Sequence, residues 1–221
     1  MVESKAWNWN VVQGDHKKYW LEPAVESYYL IDRWRDQGKQ DFLDLGCGLG
    51  RHTIQFAKAG FKTFGFDLSE DSIRKTEEYA KETGVAVELK VGDMLELPYE
   101  NESFDCIYCR NVISHTDTKG MKQIVSELKR ILKKDGECYL TLGSKRSWGY
   151  PQDWPVVDEN TKIRVEDGPE NGIPHFYADY ELVTELFKDF EIVKVFQVED
   201  FVVRETTTSS YHYHVLIKIK K

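Results

Sequence analysis

Residues 44–52 read "DLGCGLGRH" and close the short apolar run that begins "DFL" at Asp41. A run this short, ended by glycine and followed by "RHTIQFAKAG", reads as strand, tight turn and helix. Gly46, Gly48 and Gly50 let the chain turn sharply and leave no side chain in a ligand's way. In an open parallel sheet, ligands bind at the carboxyl ends of strands, where strand order reverses. Two phosphate-binding loops fit this one poorly. The GxGxxG fingerprint needs its third glycine at position 51, where the chain has Arg51. The GxxxxGKS pattern is missing.

Working outward, the alternation continues. "FKTFGFDL" reads as a second strand, followed by a helix capped by Ser69 with Glu70 and Asp71 in its first turn, running to Gly84. "VAVELKVGD" and "SFDCIYCRN" read as the third and fourth strands. Met121, Ile124, Val125, Leu128, Ile131 and Leu132 repeat at helical spacing, with Gly136 as the expected stop. "ECYLTLG" reads as a fifth strand. Apolar strands alternating with amphipathic helices give an α/β fold, a doubly wound parallel sheet covered on both faces. A helix from about Asp179 to Lys188 and two long runs, "EIVKVFQVEDFVV" and "SYHYHVLIKIK", complete the chain. The two runs are expected to pair antiparallel at the end of the sheet.

The 221 residues suit one domain, divided into an aromatic N-terminal helical cap (1–38), a core (39–143), an insertion rich in Pro and Gly (144–176), and a C-terminal helix and strand pair (177–221). The net charge of −8 argues against a broad nucleic-acid surface. The lack of a long apolar run and of a secretory leader leads us to expect no membrane partner and a cytoplasmic location. Cys106 and Cys109 form a CxxC, but on a strand residues three apart face opposite ways, so buried reduced thiols are expected.

Asp67 ends the second strand, 23 positions after Asp44, and Asp93 ends the third. An acid about 20 residues on can accept both hydroxyls of a ribose. A carboxylate at Asp93 can accept from an adenine amino group. Three acids around a glycine loop suit a ligand with a ribose and a positive charge better than one with phosphates. That favours S-adenosylmethionine, a sulfonium, over NAD.

"LDLGCGLGRHT", "GFDLSEDSI", "GDMLELPYENESFDCIYCRNVISH" and "LKRILKKDGECYLTL" together resemble the successive motifs of class I S-adenosylmethionine-dependent methyltransferases, small-molecule type, over residues 41–143. The resemblance implies a Rossmann-like seven-stranded sheet with its last strand antiparallel, in a three-layer α-β-α sandwich. It also implies methyl transfer to a small-molecule acceptor, with S-adenosylhomocysteine as product and a monomer or homodimer as the working form. Alternatives are a protein or nucleic-acid acceptor, or a non-catalytic cofactor-binding module. Carried over, Asp44 and the backbone of Gly46, Cys47 and Gly48 would face the methionine moiety, beside Gly50. Asp67 and Leu68 would hold the ribose, Asp93 and Met94 the adenine, and Arg110 and Asn111 the sulfonium and amino-acid end. Arg51 would pair with a cofactor carboxylate or with a neighbouring acid.

Methyl transfer needs orientation and a dry site more than a universal catalytic residue. His115 is the candidate base or substrate ligand, with a structural role as its alternative. Tyr19, Trp20, Trp148, His175 and Tyr177 are candidates for the acceptor pocket, with packing as theirs. His212 and His214 share one strand face without a third ligand, so no metal is expected.

Overall fold

The computed structural model describes residues 2–12, 18, 20–202 and 208–220. Tyr19 lies outside them. Its centre is β1 (Asp41–Leu45), whose residues 42–45 are all buried, as a strand covered on both faces demands. β1 pairs in parallel with β2 (Lys62–Asp67) on one side and β4 (Phe104–Cys109) on the other. Outside these lie β3 (Glu88–Val91) and β5 (Leu132–Ser144), also parallel. Strand order therefore reverses between β1 and β4, which makes their carboxyl ends the ligand edge.

The sheet continues from β5 through β10 (Thr208–Ile219) to β9 (Phe190–Val202). β10 is antiparallel to both neighbours, so the core sheet has seven strands and its last strand in sequence runs backwards. This is the Rossmann-like arrangement the motifs imply.

Helices cover both faces. α1 (Val25–Asp36) and α2 (Arg51–Lys58) lie over one face, where Trp34 is fully buried and Phe42 stacks on Phe56 at 3.8 Å. α3 (Glu70–Thr83) begins as expected, with the Ser72 N–H donating to Ser69, and Gly84 closes it in the left-handed conformation. α4 (Thr118–Ile131) buries Met121, Ile124, Leu128 and Ile131 against the opposite face. Cys106 packs in the first layer and Cys109 in the second, so the CxxC thiols are separated by the sheet. All four cysteines are free and buried.

α1 is anchored to the sheet by a buried charge. Glu137 of β5, 1% exposed, accepts two hydrogen bonds from Arg33 at 2.9 and 2.8 Å and one from the Trp34 indole at 2.9 Å. Burial alone would raise the Glu137 carboxyl, but the Arg33 and Trp34 donors outweigh it and hold the carboxyl below its ordinary value.

Two expectations need correction. α4 does not run to Gly136. It ends at Ile131, and Leu132 is already extended and paired with Phe104, because sheet pairing overrides the helical apolar rhythm. The insertion is not a plain loop. It forms β6 (Val156–Asp158), β7 (Thr161–Ile163) and β8 (Pro174–Ala178), antiparallel in sequence, with Tyr177 and Ala178 joined to Gly143 and Ser144 at the carboxyl end of β5. α5 (Tyr180–Leu186) follows, capped by Asp179 accepting from Leu182 N–H at 2.9 Å.

Candidate functional site

The glycine loop is built to be bare. Gly46 and Gly48 have φ of +77° and +54°, a region other residues enter at a cost. A Cβ on Gly46 would meet the Val112 side chain at 2.4 Å, and one on Gly48 the Trp9 ring at 2.9 Å. The loop amides are already used. Gly46 and Cys47 donate to the Phe66 carbonyl at 2.7 and 3.0 Å, and Gly48 donates to Asp67 Oδ2 at 2.9 Å. These three amides therefore do not form the cradle of free donors that phosphate requires.

The acids behind the loop are buried. Asp44, 2% exposed, accepts from Thr53 Oγ1 at 2.7 Å, and burial pushes its carboxyl up to about 7. Asp67 is raised by burial against two backbone donors, Ser69 at 2.9 Å and Gly48. Each Asp67 oxygen retains acceptor capacity. Burying a carboxylate is costly even with the Arg51 charge acting on Asp44, and a cation with two hydroxyls would relieve both sites. Asp93 turns its Oδ1 to the Leu95 N–H at 2.9 Å. The residues present thus fit a sulfonium nucleoside.

Gly46, Gly48, Asp67, Leu68, Asp93 and Met94 line one cleft of about 80 Å³. Its outer wall is the N-terminal segment from Ser4 to Trp9. Asp44, Cys47 and Arg51 border a smaller recess beside Gly46 and Gly48. Gly50, also left-handed, sits against Thr76 at the α2 start, behind the loop.

Arg51 donates to the Glu22 carbonyl at 3.0 Å and lies 4.9 Å from the Trp20 ring centre. Arg110 donates to Glu26 Oε1 at 2.6 Å, and the Tyr108 hydroxyl adds a bond at 3.2 Å. Burial would raise Glu26, but the Arg110 charge together with hydrogen bonds to the carboxylate leaves it lowered. Asn111 is left-handed at φ +58°, a strain of order 1–3 kcal/mol. Its amide donates to Thr141 Oγ1 at 2.8 Å.

A second chamber, of about 200 Å³, adjoins the cleft. Trp20, His115, Trp148, His175 and Tyr177, all expected around the acceptor, line it. So do Trp7, Trp154, Arg164 and Glu170, which sequence reasoning did not single out. Trp7 packs edge-on against Trp9 and Trp20 at 4.3 and 4.6 Å. Its indole nitrogen is buried with no hydrogen-bond partner among the described residues. The aromatic density of residues 1–38 was the available signal for Trp7. Trp7, Asn111 and His115 border both cavities.

His115 is held neutral, its pKa pulled down to about 4 chiefly by burial. Glu170 lies 3.7 Å from His115 Nε2 and 3.6 Å from His175 Nε2. Burial would raise Glu170, but its contact with His175, followed by His115 and Arg164, together bring it down to about 2. His212 also borders the chamber, outside this cluster, while His214 does not. His212 faces Asp200 at 3.7 Å, and His214 Nδ1 bonds the Tyr139 hydroxyl.

Residues 42–136 match the family model of the methyltransferase domain. A protein of Geobacillus sp. (strain WCH70) named as a methyltransferase is 34% identical over 132 residues, covering 53% of this chain and 52% of that one. The ubiquinone biosynthesis O-methyltransferase of Rickettsia canadensis is 28% identical over 147 residues, covering 65% and 61%. The chain thus spans between half and two thirds of the length of these curated relatives. The crystal structure of a SAM-dependent methyltransferase from Methanosarcina mazei superposes with a TM-score of 0.67 at 22% identity, covering 81% of this chain and 92% of that one. Residues 42–136 are thus similar to a methyltransferase domain, and the fold is that of the solved methyltransferase.

Proposed function

We propose that the chain transfers the methyl group of S-adenosylmethionine to a small-molecule acceptor held in the aromatic chamber, releasing S-adenosylhomocysteine. The observation that carries this reading is the junction of two cavities at Asn111, His115 and Trp7. One cavity has the glycine loop and buried acids, the other an aromatic lining suited to a flat, partly apolar ligand. The cofactor supplies an already activated methyl on a sulfonium, so the chain must orient two ligands and exclude water.

In this reading Asp67 and Leu68 hold the ribose, while Asp93 and Met94 take the adenine end. Asp44, the bare backbone of Gly46, Cys47 and Gly48, and the pair Arg110 and Asn111 surround the methionine end. Gly50 sets the turn. Arg51 acts through the N-terminal cap, by way of Glu22 and Trp20. His115 stands between the chambers and is neutral at pH 7, so it can take a proton from an acceptor hydroxyl or amine. Trp20, Trp148, His175 and Tyr177 shape the acceptor site. The similarity to an O-methyltransferase of ubiquinone biosynthesis supports a small acceptor. No helix among the described residues is long and apolar enough to cross a membrane, and the free buried thiols suit a reducing cytoplasm.

The test is formation of S-adenosylhomocysteine with a panel of small phenols, carboxylates and amines, beside protein and nucleic-acid acceptors. Turnover only on a macromolecule, or tight cofactor binding with no turnover on any acceptor, would overturn the small-molecule reading.

A further inference from the structure

Three electron-pair donors converge in the wall of the acceptor chamber. His115 Nε2, His175 Nε2 and one oxygen of Glu170 all lie within 4.8 Å of one another. The two histidine-to-carboxylate distances, 3.7 and 3.6 Å, are too long for good hydrogen bonds. They are close to what ligation requires. Ligands 2.0–2.2 Å from a tetrahedral ion sit roughly 3.3–3.6 Å apart.

The surroundings orient these atoms. His175 Nδ1 lies 3.0 Å from the Ile173 carbonyl, a bond that needs the proton on Nδ1 and leaves the Nε2 lone pair facing Glu170. Arg164 engages the other Glu170 oxygen, Oε2, so Oε1 is presented to the histidines. Two imidazoles and one carboxylate, with His175 and Glu170 each held by a second partner, form a donor set suited to first-row divalent metals.

We propose that His115, His175 and Glu170 form a binding site for one divalent transition-metal ion, with its remaining coordination positions open to the acceptor chamber. The three side chains are 14–24% exposed, which leaves room for water or an acceptor oxygen as a further ligand. If the methyltransferase reading holds, the acceptor belongs to the class with an oxygen donor, a phenol, enol or carboxylate, that such an ion can orient. Two of its three residues lie outside both the family match and the glycine loop. Glu170 and His175 fall beyond residue 136. Arg164 is the opposing feature, because its charge competes with a cation for Glu170.

The test is a titration of the full chain with cobalt(II), read by its visible absorption, and with zinc(II), read by calorimetry. One equivalent should bind. His175→Ala and Glu170→Gln should each weaken binding by more than the roughly 10–100-fold that loss of an outer partner costs. His212→Ala, in the same chamber but outside the cluster, should leave it unchanged. S-adenosylmethionine affinity, measured on the same variants, should not move, which shows that they fold. Absence of metal binding, or binding insensitive to both cluster substitutions, overturns the site while leaving the methyltransferase reading intact.

Discussion

The cleft proposed for the cofactor and the chamber proposed for the acceptor share a border at His115 but are walled differently. The cleft has one wall of bare backbone. Its glycine loop spends its amides on Phe66 and Asp67 and presents a surface without side chains. The chamber is made of side chains brought from far apart, from the N-terminal segment, the β4–α4 loop and the insertion. A backbone wall depends on main-chain geometry and fixes one ligand. A side-chain wall changes with each substitution, so the same scaffold can serve different acceptors.

Substitutions can break this contrast. The largest effect is expected at Glu137→Ala, which leaves the Trp34 indole and Arg33 without their shared acceptor. Loss of one partner from such a buried cluster costs about 3–5 kcal/mol, measurable by urea unfolding. An unchanged midpoint would mean that the cap is held by packing alone. Next, Asp67→Ala should weaken S-adenosylmethionine binding on the order of 100-fold with little change in unfolding. Calorimetry showing parental affinity would remove Asp67 from the cleft's function. Third, Trp148→Ala should raise the acceptor KM about tenfold and leave cofactor Kd unchanged. Equal losses for both ligands would show that the two cavities do not act separately.

The smallest effect concerns pH. Burial raises Asp44 from 3.8 to about 7, so the free fold favours its neutral form. By linkage, this group's contribution to stability is fully present below pH 4 and is lost as pH rises through about 7. A bound cation favours the charged form and releases the proton. Cofactor affinity should therefore be flat above about pH 7 and fall several-fold between 7 and 6. Asp44→Asn should flatten that profile. Calorimetry in buffers of different ionisation enthalpy detects the proton, and its absence would mean that Asp44 does not face the cation.

Much of the cleft was legible because its signals are local. Gly46, Gly48, Asp67 and Asp93 each stand at the end of a strand whose apolar pattern is strong. The chamber was only partly legible. Trp148, His175 and Tyr177 drew notice as aromatic and titratable residues in a long insertion. Glu170 did not, because its place beside His115 depends on β6, β7 and β8. Two of these have three residues, too short to show a period of two. Gly136 misled as a helix stop, since the register of β5 with β4 ends α4 earlier. No pattern pairs Arg51 with the Glu22 carbonyl, a contact set by tertiary packing.

The N-terminal segment has a kinetic consequence. Among the described residues it is fastened by the Val2 amide to Asp117 at 2.7 Å, Lys5 Nζ to the Asn171 carbonyl at 2.6 Å, and the Asn8 amide to the Pro169 carbonyl at 3.1 Å. The same stretch roofs the cleft through Ser4–Trp9 and the chamber through Trp7. One roof over two rooms ties their traffic together. On the proposed function, an acceptor that settles the segment would also trap the cofactor, and the second ligand to arrive would slow the departure of the first. Turnover would then follow an ordered sequence, with its pace set by the unfastening of a strap of about ten residues rather than by the transfer itself.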